Sequence, residues 1–137
     1  MDKHHSNSLR LAKYLSAHPC VSGVVHPLLP SHPSHQLAMA QHEGKHSGVF
    51  SFYVKGSKVQ AEKFLSGVKL VGAAVSLGGV HTTVTLPANT THSFLTPEEK
   101  TTTGITDNLV RMSVGLEDAK DIERDLDRAL RAATSEQ

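Results

Sequence analysis

Apolar and polar positions along the chain alternate between a helical and a strand period. Leu9, Ala12, Leu15 and His18 recur at spacings near three, with Leu11 beside them, and predict a first helix. His18-Pro19 ends it, because the residue before a proline avoids helical geometry. Val21, Val24 and Val25 predict a short strand, and Pro27, Pro30 and Pro33 then prevent regular structure. A short helix is expected over residues 34–41, on Leu37, Ala38 and Met39. Residues 49–54 are β-branched and aromatic and read as a strand that Gly56 breaks.

The second half repeats the alternation. Ser57 is placed to cap a helix carrying Val59, Phe64, Leu65 and Val68. Residues 70–76 are small and β-prone, Gly78-Gly79 marks a turn or a close backbone approach, and residues 80–86 alternate Thr with apolar side chains up to Pro87. Residues 88–95 are polar and loop-like. Thr96 and Glu99 form a capping box with Pro97 at the first helical position, and Gly104 ends that helix. Residues 109–114 read as a strand. A final stripe of Ile122, Leu126, Ala129, Leu130 and Ala133 predicts an amphipathic helix, with Asp118 and Asp121 favouring its dipole. Strands alternating with helices indicate an α/β fold, helices packed on one mostly antiparallel or mixed sheet.

Composition narrows the function classes. The 137 residues suit one domain. Aromatic residues are 4% and Trp is absent, so the core must rest on Leu, Val and Ala. Fourteen basic against thirteen acidic residues leave +1, which argues against nucleic acid or a membrane surface as partner. No apolar run approaches the roughly 18 residues of a membrane helix, and the polar start carries no signal-peptide segment. A single cysteine, Cys20, forms no internal disulfide and fits a reducing compartment, so a cytoplasmic chain is expected.

Candidate chemistry is sparse. His32-x-x-His35 and His42-x-x-x-His46 have chelating spacings, but a zinc site also needs a closed ligand set, and loop histidines held by hydrogen bonds are the plainer reading. Cys20 with His18 nearby does not by itself make a thiolate–imidazole pair. The glycine patterns lack the phosphate-loop spacing. Arg111 is sharper. It sits inside the apolar strand LVRMSVG, where its planar fork wants a carboxylate or phosphate; the alternative is an outward-facing or ion-paired arginine.

Three stretches then occur in order: HPLLPSHPSHQLAMAQ (26–41), AVSLGGVHTTVTLPANTTHS (74–93) and GITDNLVRMSVGLEDAKDIERDLDRAL (104–130). Together they resemble the C-terminal part of the Cys/Met-metabolism enzymes that use pyridoxal phosphate, the family of cystathionine γ-lyase, cystathionine γ-synthase and methionine γ-lyase. The resemblance covers nearly the whole chain and is nearest to the γ-lyases and γ-synthases.

That resemblance implies the small C-terminal domain of a fold-type-I, aspartate-aminotransferase-like enzyme of sulfur amino-acid metabolism. Residues 1–18 would be the tail of an interdomain helix and residues 19–137 the small domain. It implies that Arg111 clamps the substrate α-carboxylate, that Ser76 of SLGG lies beside it, and that Thr91 of the THS loop lies near the pocket. Val75 stands where eukaryotic-type γ-lyases often carry an acidic residue. The family's imine-forming lysine and cofactor-binding groups belong to a large domain upstream of Met1, so no catalytic or cofactor-binding residue and no metal ligand is assigned here. A truncated, by itself inactive piece is therefore expected. The alternative is a non-catalytic module that docks on full-length subunits through an exposed apolar face.

Overall fold

The computed structural model describes residues 1–90 and 92–135. Its elements run α1 (Asp2–Ser16), β1 (Val21–Val25), α2 (His35–Gln41), β2 (Val49–Val54), α3 (Lys58–Gly67), β3 (Gly72–Ala73), β4 (Thr83–Thr85), α4 (Pro97–Thr103), β5 (Leu109–Ser113) and α5 (Ala119–Thr134). The five strands form one sheet in the order β1-β2-β5-β4-β3. Only β3 and β4 pair in parallel; the other neighbours are antiparallel. The mixed sheet and helix layer match the α/β expectation.

Strand period explains the layering. Phe50, Phe52 and Val54 of β2 are buried, while Val49, Ser51 and Tyr53 are half-buried. The register pairs Phe50 with Met112 and Phe52 with Val110, and pairs Val84 of β4 with Met112. These residues share the face covered by α1, α3 and α5. Phe52 meets Phe64 of α3 edge-to-face at 5.7 Å. The core adds Leu11 and Leu15 from α1 and Ile122, Leu126 and Leu130 from α5.

The helix boundaries follow local chemistry. In α4 the Glu99 amide donates to Thr96 Oγ1 and the Thr96 amide to Glu99 Oε2, both at 3.2 Å. Gly104 closes that helix with φ +76°. Asp118 caps α5 through the Lys120 amide at 2.8 Å. At α3 the Ser57 amide donates to Gln60 Oε1 at 2.9 Å.

Three expectations are corrected. The strand read over 80–86 is only Thr83–Thr85, because Val80 and Thr82 are held by the turn after β5 rather than by a ladder. The stretch 70–76 yields only Gly72–Ala73, because the amides of residues 69–71 bind the Asp125 carboxylate. In α1 the buried face holds His4, Asn7, Ser8, Leu11, Ala12 and Leu15, whereas Leu9 stands at its rim.

Candidate functional site

The sheet face opposite the helices carries the polar chemistry. Arg111 is the middle residue of β5, the central strand, and is half-buried. Its cross-strand neighbours are Ser51 on β2 and Thr85 on β4. Two small side chains leave room above the sheet for the guanidinium. Arg111 Nη2 donates to the Val75 carbonyl at 2.7 Å. Among the described residues no carboxylate lies within ion-pair distance of it and no other protein acceptor takes its remaining donors. A guanidinium offers five donors in a fixed fork, so most of its capacity is not taken by the described residues.

The structure brings Ser76 to the same place. Val75, whose carbonyl Arg111 holds, is its neighbour, and the Ser76 carbonyl accepts from Thr83 Oγ1 at 2.9 Å. The Ser76 side chain itself is exposed and makes no described hydrogen bond. The turn is anchored further on, where the Gly78 amide donates to Ser113 Oγ at 2.9 Å. Gly78 has φ +76°, a conformation that favours glycine. Thr91 lies outside the described residues; before it, Thr85 Oγ1 and Thr90 Oγ1 lie 3.1 Å apart.

A second set of contacts ties this loop to the segment after β5. The Leu116 amide donates to the Val80 carbonyl at 2.8 Å. Thr82 gives its amide and its hydroxyl to the two Glu117 oxygens at 2.8 and 2.7 Å. Burial alone would raise the Glu117 carboxyl, but the Thr82 amide and hydroxyl outweigh it and hold it below its ordinary value. A Cβ on Gly115 would stand 2.1 Å from the Val80 carbonyl oxygen, so only glycine permits this approach. His4 and Asn7 of α1 also reach these turns, at Gly79, Gly115 and Glu117. Sequence reasoning named none of Thr82, Glu117, His4 or Asn7. The available signal was a polar His-x-x-Asn pair on the face of α1 that also carries Leu11 and Leu15.

The histidines have structural work elsewhere. In His18-Pro19-Cys20, His26-Pro27-Leu28 and His32-Pro33-Ser34 the ring Nδ1 accepts the amide two residues on, at 3.0, 3.1 and 3.0 Å. His35 Nδ1 donates to the Pro27 carbonyl and His46 Nε2 to the Val49 carbonyl. Among the described residues no three metal-ligating side chains converge. Cys20 is half-buried and accepts from Thr134 Oγ1 at 3.0 Å.

Exposed apolar side chains stand on the loop that carries Ser76 and on the loop after β4. Val75 is 53% exposed, Leu77 54%, Val80 57% and Phe94 77%. Among the described residues no helix is long and apolar enough to cross a membrane.

Comparison of the sequence with known proteins points to one family. The model of the Cys/Met metabolism PLP-dependent enzymes matches residues 1–131. Cystathionine gamma-lyase of Sus scrofa is 48% identical over 133 residues, which is 97% of this chain and 33% of that protein. The Homo sapiens cystathionine gamma-lyase is 44% identical over the same shares. An O-succinylhomoserine sulfhydrylase of Pseudomonas aeruginosa is 40% identical over 96% of this chain and 32% of its own length. The chain thus spans about a third of the length of the curated relatives it matches. It belongs to the Cys/Met-metabolism family of pyridoxal-phosphate-dependent enzymes.

Proposed function

We propose that this chain is the substrate-carboxylate-binding domain of a transsulfuration enzyme resembling cystathionine γ-lyase, with a fold-type-I architecture. Residues 1–18 are read as the tail of the interdomain helix and residues 19–137 as the small domain. Arg111 grips the α-carboxylate of a sulfur amino acid, Ser76 stands beside it, and Thr91 borders the pocket. The observation that carries this reading is a central-strand arginine with no carboxylate partner among the described residues, set between Ser51 and Thr85 with one of its donors held by the Val75 carbonyl. A bidentate guanidinium–carboxylate contact fixes both position and angle of the substrate, and such orientation supplies part of catalysis.

Pyridoxal phosphate is the cofactor of the family. When bound, it acts as the electron sink for the substrate. In this reading its binding groups lie outside the Arg111 site. No described contact brings a lysine to the Arg111 loop; Lys45, Lys58 and Lys100 pair with Asp2, Glu62 and Asp107 on the helices and the loop after α2. The cofactor's lysine and phosphate site are therefore assigned to a large domain or to full-length homologous subunits. The exposed Val75, Leu77 and Val80 beside Ser76 supply an apolar rim for that partner.

Kinetics test the reading. This chain, replacing the matching third of the Sus scrofa enzyme, is assayed with cystathionine. Arg111→Ala is expected to lower kcat/KM by about two decades, mainly through KM. Unchanged kinetics would remove Arg111 from the site.

A further inference from the structure

α1 reaches the Arg111 loops through two buried polar side chains. His4 is 7% exposed and Asn7 3%. They stand one turn apart on the face that also buries Leu11 and Leu15. Asn7 Nδ2 donates to the carbonyls of Gly115, at 3.2 Å, and Glu117, at 2.9 Å. His4 Nε2 lies 3.1 Å from the Gly79 carbonyl. A carbonyl only accepts, so the ring proton sits on Nε2. Nδ1 is then a buried acceptor, and among the described residues nothing donates to it. Packing does not explain an imidazole here, because an apolar ring would leave no acceptor unpaired. The bond to Gly79 is what the imidazole adds.

The positions of the two bonds matter. Gly79 belongs to the turn that carries Ser76. Gly115 and Glu117 continue the strand that carries Arg111. The two segments are joined to each other by Leu116 to Val80 and by Thr82 to Glu117. One rigid helix thus holds both halves of the candidate site, His4 on one and Asn7 on the other.

We infer that His4 and Asn7 are positioning residues of the carboxylate site, which set the placement of the Ser76 turn relative to Arg111 and couple it to α1. This rests on reading Arg111 as the carboxylate ligand. Neither residue touches substrate in this scheme; both act through the backbone they hold.

Amide hydrogen exchange followed by NMR on the 137-residue chain tests it. The reporters are the amides of Gly78, Thr82 and Leu116, which bind Ser113, Glu117 and Val80. His4→Phe keeps a ring and removes the donor. It is expected to speed exchange at Gly78 and Leu116 about tenfold, with the β2–β5 ladder unchanged, and His4→Gln, which restores a donor, is expected to reverse the change. Exchange that stays the same, or that rises equally in the ladder, would overturn the inference. Should His4→Phe not fold, Asn7→Ala carries the same test on Thr82 and Leu116. In the full-length chimera, His4→Phe is expected to raise KM severalfold with a smaller effect on kcat. If Arg111→Ala leaves KM unaltered there, the carboxylate reading falls and the exchange data still decide the positioning role. If Arg111→Ala raises KM while His4→Phe moves neither exchange nor KM, the positioning role alone falls.

Discussion

Single residues in this domain are held by complementary hydrogen-bond roles, and His26 shows what that implies. It is fully buried, its Nδ1 accepts the Leu28 amide, and Nε2 faces Ser8 Oγ at 3.3 Å. Desolvation first, and then the nearby His46 and His5, lower its pKa to about 4. The folded state therefore favours the neutral ring, while the unfolded chain takes up the proton near the ordinary value of 6.5. This contribution to stability is fully present above that value and is lost as pH falls to about 4. Its full size is roughly 3 kcal/mol. Urea denaturation at pH 7 and pH 5 should show the chain weaker at pH 5, and His26→Gln should shrink the difference. Equal stability at both pH values in the parent chain would contradict the assignment. Arg111 stands out in the sequence, because a charge inside an apolar strand breaks the alternation, and Ser76 and Thr91 only through the family resemblance. The histidines drew notice as chelating spacings, but spacing does not reveal that each His-Pro pair turns the ring back onto its own backbone.

Elements were more legible than their lengths. Patterning located α1, α3 and α5 and the strands β1, β2 and β5, since burial on one side imposes the period, whereas α4, which buries no residue, was marked by its capping box. The short strands were over-read because tertiary contacts claim their backbone groups. Asp125 illustrates this. One oxygen accepts the amides of Lys69, Leu70 and Val71, the last two at 2.9 Å. Burial alone would raise its carboxyl, but those amides and Arg128 hold it below the ordinary value. Asp125→Asn would set an amide group against three donors and is expected to cost about 2–3 kcal/mol, read as a lower denaturation midpoint at pH 7. A loss below the error of the measurement would show that the 69–71 link is held by other contacts. Gly115→Ala should lower Tm as well, because its methyl group would have to displace Val80. An unchanged Tm with an unchanged Leu116 amide shift would mean that the turn yields freely.

At the scale of the molecule, one face of the sheet is covered by helices, and the other carries Arg111 between Ser51 and Thr85 with the exposed Val75, Leu77 and Val80 on the adjoining loop. The proposed reading sets the large domain or a full-length subunit against that surface. Family resemblance was legible from three ordered stretches, whereas the tethering of α1 to the Arg111 loops depends on folding residue 4 against residue 79 and residue 7 against residues 115 and 117. The chain alone, mixed with pyridoxal phosphate, is expected to develop no absorbance of a covalently held cofactor and no turnover of cystathionine. Either signal would return the cofactor site to this chain.

The central claim is that Arg111 meets the substrate carboxylate, and a double-mutant cycle across that contact tests it most directly. Cystathionine and two analogues, each with the α-carboxylate of one of its two amino-acid halves replaced by hydrogen, are compared on the parent chimera and on Arg111→Ala, and the cycle is read on the analogue that loses the more activity on the parent. If the two groups meet, removing the arginine lowers kcat/KM for cystathionine by about two decades and leaves that analogue nearly unaffected. Equal losses for cystathionine and that analogue would contradict the contact.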